Sequence, residues 1–385
     1  MKAGPFIIFF SIVLTLYGLV NAYIFIRGMQ AIPEGSSWRN WYAVTFWLVA
    51  ASFVAARVLE RVYPSALTGV ITWIGSFWLA FMLYFFLIVL LADLVRLIHH
   101  FIPFLPQSLF ADYVKTKVIL LLSSIALVTV VVAAGFINAR IPKVRHLDLK
   151  IDKTIAGEKE LNIVMASDIH LGTIIARRKA NRLVETINAL QPDVILFPGD
   201  IVDEDLAPVI MNNLGENLRQ LKARFGVFAV TGNHEFIGGA EPAVKYLREH
   251  GITVLRDSAA LVDGRFWLVG REDRDKPRFS GKNRMDLTDL VKSVDTTLPV
   301  ILMDHQPFNL KEAAGLGVDL QLSGHTHHGQ MWPFNHVTSA IYEVSTGHRM
   351  IDGTHFYVSS GFGTWGPPVR LGNRPEIVHI RLLFN

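Results

Sequence analysis

Along the first 139 positions the apolar residues run in long blocks. Four of these, 5–26, 41–58, 67–97 and 118–138, match or approach the length a helix rising 1.5 Å per residue needs to cross a bilayer core of about 30 Å. Stretches such as FIIFFSIVLTLYGLV and LAFMLYFFLIVLL lack the polar stripe at helical spacing that marks a helix lying on a soluble core. The first block is longer than the apolar region of a signal peptide, and three more follow it. The pattern therefore predicts four transmembrane helices in 1–139. The aromatic, Pro-broken stretch 99–113 is read as a loop between the third and fourth, and Asp93 with Arg96 as a pair snorkelling at a helix end.

From 140 onward the pattern changes. Residues 140–157 are read as a linker and 158–385 as a folded domain, in which short β-rich runs alternate with segments of helical spacing at 176–190, 207–222 and 240–250. Runs such as LNIVMAS, DVILFPG, GVFAVTG, RFWLVG, PVILMDH and VDLQLSG end in polar residues or glycine, as strands do when chemistry sits at their C-terminal tips. Segments 339–360 and 375–383 read as antiparallel strands. No repeat or low-complexity tract is present.

Charge sharpens the division. Of 37 basic and 33 acidic residues, eight and four lie in 1–139, which leaves twenty-nine of each sign for the rest. The folded domain is thus neutral, which argues against nucleic acid as a partner, because phosphate-backbone binding needs basic residues concentrated on the binding domain. The chain has no cysteine, so disulfides and thiolate metal sites are excluded. With four spans both ends of the membrane region share one side. Lys2, Arg57, Arg61, Arg140, Lys143, Arg145, Lys150 and Lys153 flank that side, against Arg27, Arg39, Arg96, Lys115 and Lys117 opposite, a slight lean toward a cytoplasmic domain in a multi-pass protein of the cell membrane.

The candidate chemistry follows the strands. Asp168 and His170 come after the first (SDIH), Asp200 and Asp203 after the second (GDIVD), and Asn233, His234 and Glu235 after the third (GNHE). His305 follows a later strand (MDH), and His325 and His327 another (SGHTHH). Carboxylate, imidazole and carbonyl oxygen without thiolate favour manganese, iron or zinc over calcium. His336, His348 and His355 lie past these clusters and are read as surface or packing residues.

The order DxH, GDxxD, GNHE, H, GHxH resembles that of the calcineurin-like metallophosphoesterases across 158–385. The tail GFGTWGPPVRLGNRPEI and the segment GHTHHGQ look more particularly like the bacterial membrane- or envelope-associated branch, where GHTHGGQ is usual and His328 here replaces a glycine. The resemblance implies an α-helical transmembrane region followed by a four-layer α/β/β/α sandwich, two mixed sheets flanked by helices, with the site at one edge. It implies two divalent ions, the first held by Asp168, His170 and His327, the second by Asn233, His305 and His325, with Asp200 bridging. Such a pair lowers the pKa of a shared water to give the attacking hydroxide. His234 would then protonate or stabilise the leaving oxygen, and Glu235 would orient its ring. Asp203 either caps a turn or bonds a ligating histidine. Arg370 and His328 stand as substrate contacts, Arg370 alternatively as a structural salt bridge.

The expected function is a membrane-anchored phosphoesterase acting on a phosphomonoester, phosphodiester or pyrophosphate, with a membrane lipid or lipid-linked substrate as its partner. The competing reading is a non-catalytic membrane sensor or scaffold, which a missing ligand would favour, but every position is filled. A metal transporter would need ligands inside the spans, and no histidine precedes His99.

Overall fold

A computed structural model describes residues 3–155 and 157–385, so Lys2, counted above among the flanking charges, lies outside the described residues. The chain divides into two compact units, Met1–Phe136 with Gly366–Val369, and Ile137–Trp365 with Arg370–Asn385.

In the first unit the apolar blocks form helices Ala3–Ala31, Trp38–Val62, Ala66–Phe101 and Tyr113–Asn138. Each contains a stretch long and apolar enough to cross a membrane. They run past the apolar blocks because the i to i−4 bonds continue into the polar flanks, and Ser65 starts the third by accepting from the Thr68 amide at 3.2 Å. Polar side chains between helices are satisfied there: Asn21 donates to the Tyr17 carbonyl at 2.8 Å and accepts from Trp78 Nε1 at 2.9 Å. Asp93 and Arg96 do meet, at 3.3 Å, but Asp93 lies closer to Arg27, at 2.7 Å, and to the Tyr23 hydroxyl, at 2.6 Å. The expected snorkelling pair is therefore part of a bridge between the first and third helices.

The second unit holds two six-stranded mixed sheets. The strands are β1 (Lys143–Ile151), β2 (Glu160–Met165), β3 (Val194–Pro198), β4 (Val227–Val230), β5 (Thr253–Val254), β6 (Ser258–Val262), β7 (Phe266–Gly270), β8 (Val300–Met303), β9 (Leu320–Ser323), β10 (Gly347–Ile351), β11 (Thr354–Val358) and β12 (Glu376–Phe384). One sheet runs β1-β12-β2-β3-β4-β5, the other β10-β11-β9-β8-β7-β6. β2 to β5 are mutually parallel, as are β7, β8, β9 and β11.

Period-two alternation builds the layers. Ile163 and Met165 of β2 meet Ile301 and Met303 of β8 between the sheets. Val164 and Ala166 turn the other way, onto Leu183 and Ile187 of helix Arg177–Ala189 and Leu247 of helix Ala240–Glu249. Val300 and Leu302 pack outward on Leu287, Leu290 and Leu310. The result is the four-layer helix, sheet, sheet, helix sandwich that the family resemblance implies.

Three local expectations are corrected. The supposed linker 140–157 contains β1, an edge strand paired in parallel with β12, whose Leu147, Leu149 and Ile151 alternate toward the core. Segment 207–222 is broken into helices Ala207–Met211 and Gly215–Leu218, with Asn213 between them at φ 50°. Residues 339–341 end a helix, Phe334–Ile341, before the β10–β11 hairpin begins.

Candidate metal centre

β2, β3 and β4 are adjacent parallel strands of one sheet, and β8 and β9 are adjacent parallel strands of the other, so their five C-terminal loops open on common edges. Asp168, His170 and His327 form one cluster, with the Nε2 atoms of the two histidines 3.0 Å apart and His327 Nε2 3.5 Å from Asp168 Oδ1. Asp200, His305 and His325 form a second, with His305 Nε2 3.0 Å from Asp200 Oδ2. Asn233 Oδ1 is 2.8 Å from His325 Nδ1. Asp200 Oδ2 also lies 3.9 Å from His170 Nε2, which places its carboxylate between the clusters.

The backbone is bent to make this convergence. Asp168, His170, Asp200, His325 and His327 all have positive φ, between 45° and 69°. Such left-handed geometry is sparsely populated by non-glycine residues and persists where the surroundings enforce it. Glycines give the room: a Cβ at Gly232 would collide with the Asp200 carboxylate, and one at Gly324 with Ser167 and Asp168.

The donor set fits divalent cations. Asp168 and Asp200 are buried carboxylates, which need compensating positive charge. His305 Nδ1 donates to the Pro198 carbonyl at 2.8 Å, so Nε2 carries the free lone pair of the neutral ring. That Nε2 is buried without a hydrogen-bond partner although an Asp200 oxygen lies beside it, as is His170 Nδ1. Burial lowers the His305 pKa, but Asp200 outweighs it and raises the ring well above its ordinary value. His325, by contrast, is driven down to about 3 by burial.

Residues 161–329 match the family model described as calcineurin-like phosphoesterase. The chain is 33% identical over 258 residues to an uncharacterized metallophosphoesterase of Aquifex aeolicus, covering 64% of this chain and 98% of that protein. The chain belongs to the calcineurin-like metallophosphoesterases. It is also 35% identical over 249 residues to an uncharacterized metallophosphoesterase of Helicobacter pylori strain J99, a match covering 63% of this chain but only 64% of that relative's length. A Danio rerio protein named transmembrane protein with metallophosphoesterase domain is 33% identical over 270 residues, covering 66% of this chain and 61% of its own.

Within this metallophosphoesterase, His234 lies beside both clusters, its ring centre 4.4 Å from that of His170. Its Nδ1 is 3.0 Å from Asp203 Oδ1, so Asp203, whose role the sequence leaves open, holds the ring. Glu235 does not. Its carboxylate accepts from the amides of Asp200, Ile201, Val202 and Gly232 at 2.7–3.1 Å. The cause is local: Glu235 is the third residue of helix Asn233–Gly238, the position from which an acid reaches back over the helix start.

Arg370 and His328 are also re-placed. Arg370 is fully buried and donates to the carbonyls of Ser360 and Gly363, at 2.6 Å each through Nη1 and Nη2, with Nη2 3.1 Å from His327 Nδ1. It braces a histidine of the first cluster and has no face for a phosphate. The His328 ring turns to the Ser345 hydroxyl at 3.1 Å, outside both clusters. His336 is not among the buried residues, whereas His355 is buried and bonds His348 at 2.9 Å, a packing pair. The motifs missed Trp365, whose exposed indole stands 5.9 Å from the His234 ring. Gln330 fixes its backbone through bonds of 3.0 and 2.9 Å, and Glu204 Oε1 lies 3.4 Å from its Nε1. An aromatic residue among glycines and prolines, at position 365 of the segment GTWGPPVR that ends in Arg370, was the available signal.

Proposed function

We propose that this protein is a membrane-bound phosphoesterase that holds two divalent ions, manganese, iron or zinc, and hydrolyses a phosphate ester or anhydride borne by a lipid or lipid-linked substrate. The observation that carries the hydrolytic reading is the convergence of two clusters on Asp200, with His234 poised beside them. Asp168, His170 and His327 would hold one ion, and Asn233, His305 and His325 the other, with Asp200 shared. When bound, the ion pair supplies a water acidic enough to attack at neutral pH and neutralises charge on phosphorus.

The chain's own groups do the rest. His234, held by Asp203 at 3.0 Å, delivers a proton to the leaving oxygen. Asp203 fixes that ring, Glu235 ties the Asp200 turn to the Asn233 turn, and Arg370 braces His327. The lipid reading is supported by the path from the last apolar helix. Asn138, its final residue, donates to the carbonyls of Arg370 at 3.0 Å and Asn373 at 2.7 Å, and the Asn373 amide donates to the His327 and His328 carbonyls at 3.1 Å each. Exposed Trp332, Phe334, Val337 and Ile341 directly follow that loop and offer apolar surface to an acyl chain.

His234→Ala tests the assignment. It should cost about 10²–10⁴ in rate on an alkyl phosphate, less on p-nitrophenyl phosphate, whose leaving group departs unprotonated, and should leave metal content unchanged. Equal slowing of both substrates, or loss of metal, would remove His234 as the acid.

A further inference from the structure

Helix Arg177–Ala189 opens with three consecutive cations, Arg177, Arg178 and Lys179, and its first turn has neither an acid nor a side-chain cap. Basic residues are disfavoured at a helix N-terminus, which already carries partial positive charge. More cations gather on the same spot. Arg182 Nη1 donates to the Arg140 carbonyl at 3.1 Å, and Lys179 Nζ to the Ala139 carbonyl at 2.8 Å. Arg370, Arg140 and Arg182 all act on Lys179 as like charges. Like charges so close repel one another, and an anion drawn to them relieves that repulsion.

Position says which anion. Ala139 and Arg140 directly follow Asn138, where the fourth apolar helix ends, so the two hydrogen bonds tie the cationic helix start to the point at which the chain leaves the bilayer. Arg140, Arg177, Arg178 and Arg182 are all exposed. Beside them Arg177 Nη2 donates to the Asn212 carbonyl at 3.1 Å, and the two residues before Asn212, Ile210 and Met211, are 55% and 61% exposed. Apolar side chains flanked by arginines at a bilayer exit have the composition of a segment that enters the headgroup layer.

We infer that Arg140, Arg177, Arg178 and Arg182, with Ile210 and Met211, form a docking face for the anionic headgroup layer of the membrane that carries the protein. The face goes beyond the hydrolytic reading and needs only the bilayer. It acts at short range, since charge attraction across solvent decays over about 8 Å at physiological salt.

The test uses the full chain in neutral detergent, with thermal unfolding followed on addition of phosphatidylglycerol, phosphatidylcholine or inorganic phosphate. Phosphatidylglycerol should raise the unfolding midpoint by about 5 °C, the size expected for lipid well above its dissociation constant, and the other two should not. The Arg178→Gln/Arg182→Gln double variant should lose the response. Equal stabilisation by phosphatidylcholine, reproduction of the effect by inorganic phosphate, or a full response in the variant would each overturn the assignment. Because the chain has no cysteine, Met211→Cys carries a unique nitroxide for a second measurement in phosphatidylglycerol-containing nanodiscs. That label should be more accessible to oxygen than to a water-soluble nickel chelate, and a label at exposed Lys311 the reverse. Nickel accessibility at 211 equal to that at 311 contradicts docking even if the double variant fails to fold. Neither readout involves hydrolysis, so failure here leaves the phosphoesterase reading standing.

Discussion

His234 and Asp203 work as a pair, and the pair has a pH signature. Burial favours the neutral ring, but Asp200 and the Asp203 hydrogen bond outweigh it and raise the His234 pKa to about 9. A raised pKa means that the proton donor is present below that value and is lost as pH climbs through it. Asp203→Asn removes one of the raising partners, so the alkaline fall of kcat/KM on a poor leaving group should begin about one pH unit lower or more. An unmoved alkaline limb in the pH profile would count against the pair. Glu235 makes a different prediction. In Glu235→Gln an amide NH₂ would face two buried backbone N–H donors, at a cost of about 2–6 kcal/mol for two unsatisfied groups. The variant should unfold at lower temperature and lose metal, although Glu235 belongs to neither cluster; an unchanged midpoint would refute the bracing role. The clustered residues were legible because each motif ends a parallel strand. Glu235 was misread because four letters, GNHE, do not reveal that its side chain points back along the helix start.

At the scale of elements, helix Arg177–Ala189 carries a measurable strain. Burial and neighbouring cations lower the Lys179 pKa to about 7, from 10.5 in the unfolded chain. Between those values the unfolded chain binds more protons, so stability rises with pH there, and the penalty is fully present below about pH 7. Lys179→Met should therefore stabilise the fold in neutral detergent at pH 6, by at most about 5 kcal/mol at roughly 1.4 per pKa unit less the lost bond to the Ala139 carbonyl, with the gain shrinking toward pH 10. A gain independent of pH would show that the ammonium is not destabilising in the fold. The long helices and the central strands were readable from unbroken apolar runs. β1 was not, because an edge strand buries one face, and its three alternating apolar residues sit among Lys143, Arg145, His146 and Lys150. Pairing with β12, more than 220 residues later, is what makes it a strand.

On the scale of the whole molecule, four apolar helices precede the metallophosphoesterase sandwich, and Asn138 within the second unit is two hydrogen bonds from the loops that bear the site. Reporter fusions after Ile32, Tyr63, Gln107 and Lys143 should alternate in compartment, and opposite sides for Tyr63 and Lys143 would break the four-span count. The hydrogen bonds from Asn138 to Arg370 and Asn373 could not be read from the sequence, since they join positions more than 230 residues apart. The central claim is that two ions share Asp200. Elemental analysis of the metal-loaded full chain should approach two divalent ions per molecule, and Asp200→Asn should lower both occupancies together. A single ion per chain that survives Asp200→Asn would contradict the account.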